Sequence, residues 1–394
     1  MKRAELVLLS LFFLLAAAGF GFDRLIEKQP SRSAAPAGRT VSEAVYCPAP
    51  EDAETSMATG NYGGSPLTLR RQAIGGNAES TARSSILPGG RRVSLMLSEF
   101  GIARSFGLAE SFGGAATTDL QVADRERGLT ASGCSTRPGG RWLFASASTT
   151  RRHDHFLMVA NPFQEEAVLN VRVLAADKDF IPVLLRERVI PPLSQEPLLL
   201  ADFIPETGSF GLDVRATQGR VVISGFAQIA TRDGLRGISL GVGAEAASTT
   251  WLFAGGEVPA DGEESIFMVN PGDSEALVEV AFPTEKQTIA PDVLKEVAVP
   301  AGRQTSVKVA DFVPRGTKHS VRVISTNDVP VVAERTTIAA VPGGRGYETA
   351  PGVPRGARRW AISAGALPSA QESLAIVGAG GSPVAVKVTV VTDK

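Results

Sequence analysis

Histidine and cysteine are nearly missing from this chain, with three His and two Cys in 394 residues. That scarcity excludes zinc fingers and iron–sulfur clusters, which need several such ligands at close spacing. An excess of one charge is missing too. The formal net charge is -1, so no electrostatic footprint for nucleic acid is expected. Large aromatics are few, three Trp and three Tyr, which leaves little for stacking on sugar rings. No Gly-x-Ser-x-Gly, P-loop, Gly-x-Gly-x-x-Gly or His-Glu-x-x-His occurs. No catalytic, cofactor-binding or metal-binding residue is therefore assigned, no cofactor is expected, and the chain is not expected to be an enzyme. Beyond residue 22 no long stretch has a helical period.

What is present is apolar and turn-rich. Hydrophobic residues make up 43%, enough to bury real cores, and 41 Gly with 25 Pro imply many short elements. Lys2 and Arg3 precede the uncharged run Leu6–Phe22. A positive flank and an apolar run predict a membrane anchor with the rest of the chain outside the cytoplasm. A cleaved signal at the Ala16-x-Ala18 site is the alternative, giving a secreted protein. Residues 29–46 carry Pro, Ser, Ala and Gly without apolar period and read as a linker after an anchor spanning 1–28.

Cys47 and Cys134 are the only two cysteines, so one intramolecular disulfide is possible. After an export signal that pairing is the expected state. It brackets a β domain at 47–135.

A repeat organises the rest. Trp142, Trp251 and Trp360 open similar phrases, and successive ones lie 109 residues apart. Asn161 and Asn270, Pro191 and Pro300, and Asp202 and Asp311 keep the same offset. A period of that length suits a whole β-sandwich. Inside each copy the pattern alternates: Leu169, Val171 and Val173 interleave with Asn170 and Arg172, as in a half-buried antiparallel strand. The expected fold is all-β, with tandem immunoglobulin-like sandwiches at 141–245 and 250–350 and a partial repeat at 359–394. The alternative is a β-propeller closed by terminal strands. The block at 47–135 reads as a diverged copy without the Trp phrase, with Asn61 at the Asn position. The tail is expected to dock on the preceding sandwich. Reaching back to complete the first block is the alternative.

Tyr46-Cys47-Pro48, Cys134 shortly before Trp142, the Asn161-Pro162 turn and the N-terminal apolar run together resemble an uncharacterised family of secreted or membrane-anchored actinobacterial proteins, a domain of unknown function. The resemblance covers most of the chain from Cys47 onward. It implies a cell-envelope location and brings no catalytic residues. Gly378-Ala379 departs from the Asn-Pro pattern.

Several other residues are of types that carry chemistry. The Trp are expected to be core, since each copy must fill the same space. Asp202 and Asp311 are expected to accept backbone N–H bonds in turns, and Asn161-Pro162 and Asn270-Pro271 to be turn chemistry. His153, Asp154 and His155 are expected in a solvated loop. Glu334-Arg335 is expected as a surface ion pair at a strand end. Gly75-Gly76, Gly89-Gly90 and Gly343-Gly344 read as hairpin turns. The expected function is non-catalytic binding or scaffolding in the cell envelope, with an envelope protein or polysaccharide as partner. The alternatives are recognition of envelope polysaccharide and a hydrolase with scattered carboxylates.

Overall fold

The alternation of the sequence resolves into paired antiparallel sheets. The structure, a computed structural model, describes residues 42–362 apart from 52, 77, 115, 233, 342 and 343, together with 373–379 and 384–390. The expected anchor and most of the linker lie outside the described residues.

In the copy that opens at Trp142, strands Arg141–Ser148, Ser209–Gln218 and Ala167–Leu174 lie side by side, with short Asp179–Phe180 and Arg188–Ile190 at the far edge. The second sheet runs Ser194–Leu199, His153–Asn161, Val222–Ala230, Arg236–Val242. Leu169, Val171 and Val173 turn inward and are fully buried between the two sheets, while Asn170 and Arg172 face out. The next copy repeats this order with Thr250–Glu257, Lys318–Ser325 and Ala276–Pro283 against Arg303–Lys308, Gly262–Asn270, Val332–Val341 and Gly344–Pro351. One period therefore holds one two-layer sandwich, with no propeller blades among the described residues.

The first copy is complete as well. Ser42–Cys47, Ser105–Phe112 and Leu67–Gly75 form one sheet; Arg91–Met96, Glu54–Asn61, Thr117–Asp124 and Gly128–Gly133 form the other. The strand Ser42–Cys47 takes the place of the Trp phrase, so the gap expected in this block is filled from residues expected to be linker. Its equivalences follow from one backbone bridge present in all three copies: Tyr46 pairs with Ser135, Leu143 with Ala244, Leu252 with Val353. Val45, 7% exposed, thus stands where the others have Trp.

The same bridge explains the disulfide. The next residue along each opening strand is Cys47, Phe144 or Phe253, and the residue before each bridge partner is Cys134, Gly243 or Gly352. Cys47 and Cys134 are bonded, with Cα atoms 4.8 Å apart. In the other copies the Phe ring lies over the glycine. A Cβ on Gly243 would stand 2.6 Å from the Phe144 ring, and one on Gly352 2.8 Å from Phe253. Covalent bond and ring packing close one and the same junction.

Asn61, Asn161 and Asn270 are clamps. Each is buried, and each side-chain amide donates to the carbonyl four residues on, Ser65, Glu165 or Ser274. Each also donates across the sheets, to Leu87, Ile190 or Val299, and each Oδ1 accepts the N–H two residues on. The expected turn chemistry is present, and it satisfies an otherwise buried loop backbone.

Trp142 and Trp251 are core, 1% and 2% exposed, with their indole N–H groups donated to Val221 and Val331 carbonyls at 2.9 and 2.7 Å. Trp360 is not: it is 59% exposed. The described tail has no strands, and Leu374, Ile376, Val384, Val386, Val388 and Val390 are all exposed. It touches both neighbours weighed from the sequence. Ala375 lies against Gly255 of the third sandwich, and the Ile362 carbonyl accepts the Tyr62 hydroxyl of the first.

Candidate functional site

The three sandwiches are joined serially. Gln195, on the edge strand Ser194–Leu199, accepts the Ala49 N–H at 2.8 Å and donates to the Ala49 carbonyl at 2.7 Å. Gln304, 109 residues on, donates to the Ala145 carbonyl at 2.7 Å and accepts the Ser209 hydroxyl at 2.9 Å. Each glutamine belongs to the later sandwich and grips the earlier one. Apolar side chains fill the joints: Ile74 and Phe106 of the first sandwich join the core cluster of the second, and Leu143, Ala145 and Leu174 join that of the third.

The second joint carries titratable groups. Glu334 projects from Val332–Val341 and is 5% exposed. It accepts the Ser146 N–H at 2.7 Å, and Ser146, Thr336, Thr349 and Tyr347 continue a hydroxyl chain with steps of 2.8–3.1 Å. Burial pushes the Glu334 carboxyl up to about 7, against the pull of the Ser146 and Ala145 N–H groups. His155, 7% exposed, meets the Tyr347 ring edge-on at 6.3 Å. Burial, then the neighbouring His153, push its imidazole down to about 3, and its Nε2 has no partner. Both groups line a cavity of about 40 Å³, room for a water rather than a substrate.

These placements correct two expectations. His153–Asn161 is a strand, not a solvated loop, and His155 lies inside the joint. Glu334-Arg335 is no surface pair: the Arg335 side chain is 14% exposed and points to Glu264, not to Glu334. Glu264 Oε1 also accepts from Nε2 of His319, at 3.2 Å. Burial lowers the His319 pKa, but the Glu264 hydrogen bond and charge outweigh it and the net direction is up.

A prediction follows from Glu334. Below about pH 4.5 it is protonated folded or unfolded; between about 4.5 and 7 only the folded state holds the proton. Its contribution is full at low pH and is lost as pH rises through about 7, by about 3 kcal/mol in all. His155 works oppositely, taking up its proton on unfolding below about 6.5, so the two slopes cancel over much of this range. Glu334→Gln isolates the carboxyl. The stability difference between Glu334→Gln and the parent chain should shift toward the variant by about 3 kcal/mol from pH 4.5 to 7 in urea titrations. A pH-independent difference would sink the assignment.

Other residues fall elsewhere. Asp202 and Asp311 sit in single 3-10 turns, both exposed; the turns close through backbone bonds such as Ile204 N–H to the Leu200 carbonyl, with no side-chain cap. The expected carboxylate bonds are replaced by burial of Ile204 and Val313. Gly75-Gly76 opens a hairpin, with Gly76 at φ 58°, and Gly344 begins the return strand of another. Gly89-Gly90 instead links strands of opposite sheets. No group of three or more His, Cys, Asp or Glu among the described residues could hold a metal. No described helix is long and apolar enough to cross a membrane.

One open cleft, of about 470 Å³, lies on the outer face of the second sandwich beside the third. Arg141, Arg172 and Arg215 line it with Asn170 and Thr217, and Pro271 and Asp273 form its far wall. On its floor Asp213, with a wholly buried side chain, takes Nε and Nη2 of Arg141 at 2.8 and 2.9 Å and Nε and Nη2 of Arg215. Burial pushes this carboxyl up, and the two guanidiniums hold it below the usual carboxylate range. Arg172 pairs with Asp179, which Arg303 of the third sandwich shares. Sequence reasoning passed over this cluster and both joint glutamines. The Gln195–Gln304 offset and the Asp213-x-Arg215 alternation were the available signals.

No curated protein matches the chain. Two solved structures are similar over a stretch about one sandwich long. One is described as the crystal structure of Thermotoga maritima 1070, at 20% identity and a TM-score of 0.25, covering 27% of this chain and 94% of that one. The other is the Anabaena sensory rhodopsin transducer, at 27% identity and a TM-score of 0.21, covering 23% and 97%. A family model matches residues 107–394, which takes in the second and third sandwiches whole, and the chain therefore belongs to that family of unknown function, DUF5719.

Proposed function

We propose that this chain is a non-catalytic binding or scaffolding protein of the actinobacterial cell envelope, tethered through Leu6–Phe22 and displayed outside the cytoplasmic membrane. The serial construction carries the reading. Three sandwiches are coupled by the same side-chain-to-backbone joint, which suits presentation of a long, fixed surface to a partner. Buried Glu334 and His155 serve the second joint, lining a cavity too small for a substrate. The Cys47–Cys134 bond speaks for an oxidising compartment. A second reading, recognition of an envelope polysaccharide, is favoured by the arginine-lined cleft.

The test is crosslinking on intact cells that express the tagged full chain, followed by fractionation and thiol alkylation. The expected result is recovery with the envelope, a covalent adduct to an envelope component, and no alkylatable cysteine. Recovery in the cytoplasm with two reactive thiols would overturn the proposal.

A further inference from the structure

The arginine cluster is not something the sandwich requires. The same sheet positions in the third sandwich hold Thr250, Arg322 and Ile324 in place of Arg141, Asp213 and Arg215. In the first they hold Ala44, Leu108 and Glu110. Both of those sandwiches fold with the same strand order. Burying the Asp213 charge opposes folding unless it is fully paired, so the second sandwich maintains an arrangement its siblings omit.

The geometry shows what the arrangement presents. Asp213 engages Nε and Nη2 of both Arg141 and Arg215, which leaves each Nη1 outside the fork. The Arg215 side chain is 54% exposed and that of Arg141 34%, so their outer edges face the cleft. Two cations share one buried anion, and although Asp273 on the far wall offsets part of the charge at Arg215, the two guanidiniums are fixed in direction before any ligand arrives. Guanidinium edges suit carboxylate and phosphate oxygens. Asn170 and Thr217 add neutral hydrogen-bonding groups, and Ile181 and Pro330 an apolar wall. The volume is that of a small-ligand site.

We propose that this cleft binds an acidic saccharide, whose carboxylate or phosphate group docks on Arg141 and Arg215 while its hydroxyls meet Asn170 and Thr217. The proposal rests on the reading of the chain as a binding module and names its ligand class. Arg215 sets the affinity, and Asp213 is a positioning residue that aims the two guanidiniums.

Calorimetric titration of the detergent-solubilised full chain tests it, with tetragalacturonate, a glycerol phosphate oligomer and neutral cellotetraose as probes. At least one anionic probe should bind, and the one that does identifies carboxylate or phosphate as the group read. Cellotetraose should not bind. Arg215→Ala should weaken binding at least tenfold when measured well below its melting point, which falls because Asp213 keeps only Arg141 as a partner. Arg215→Lys should recover little, because an ammonium cannot engage Asp213 through a fork and still present a fixed outer edge to the ligand. Exposed Arg236→Ala is the control and should leave binding unchanged. Half-molar salt should weaken binding, as expected of partly exposed charges. Binding of cellotetraose equal to the anions, an Arg215→Ala chain of undiminished affinity, or no binding of either anion would overturn the cleft. An Arg215→Ala chain that keeps its crosslinked envelope partner would sink the cleft alone. Loss of that partner by the parent chain would sink the binding-module reading instead.

Discussion

Cys47→Ser/Cys134→Ser should lose about 4.6 kcal/mol of stability in the first sandwich, the chain-entropy value for a loop of 87 residues. The sibling copies supply a sharper companion experiment. Cys47→Phe/Cys134→Gly rebuilds in the first sandwich the ring-on-glycine junction of Phe144 with Gly243 and Phe253 with Gly352. A buried Phe contributes about 1.5–3 kcal/mol, so this double variant should recover roughly half of the loss. Cys47 is 1% exposed and faces Gly107 across the sheet, which places the new ring in the core. Urea titration of both double variants decides the matter. If the Phe/Gly chain is no more stable than the Ser/Ser chain, the junctions are not equivalent.

Trp251→Ala should cost about 3–5 kcal/mol, the range for a large truncation in a core. The loss has two parts: the cavity left by the indole, and the 2.7 Å bond to the Val331 carbonyl, which keeps only the Ser248 N–H at 2.8 Å. Trp360→Ala, in the same phrase at the same offset, should change stability by less than about 0.5 kcal/mol, as for an exposed position. The contrast is informative because local sequence cannot produce it. The groups that bury Trp142 and Trp251 follow them by 79 and 80 residues, and no such strands accompany Trp360 among the described residues. Equal losses at the two positions would show that the tail is packed.

The second and third copies were legible because one offset of 109 runs through them, from Trp to Asn to Asp. The first was legible only as a diverged copy marked by Asn61, because its offset drifts. Asn61 precedes Asn161 by 100 residues, and Val45 precedes Trp142 by 97. Even an identical phrase misleads there. Ser105-Phe106-Gly107-Leu108 matches Ser209-Phe210-Gly211-Leu212, yet Ala73 faces Gly107 while its counterpart Val173 faces Leu212. That one-residue slip turns Phe106 out into the joint, whereas Phe210 lies in its own core. The cleft and the seam were illegible for a different reason. Glu334 is polar in a strand whose neighbours alternate, and only the adjoining sandwich makes its environment dry. Contacts between sandwiches have no period to read.

The joint glutamines have one more consequence. Gln195 holds the peptide groups of Ala49 and Ser105, and Gln304 that of Ala145, so, the Ser209 hydroxyl apart, each later sandwich grips main chain in the earlier one. Peptide groups are the same whatever side chains they carry. The receiving surface can therefore drift in sequence without the coupling being lost, provided the bulge or loop keeps its path. Repeated copies are thereby free to differ, as the second does in holding arginines its siblings lack, while the order in which they are threaded stays fixed by the direction of the grip.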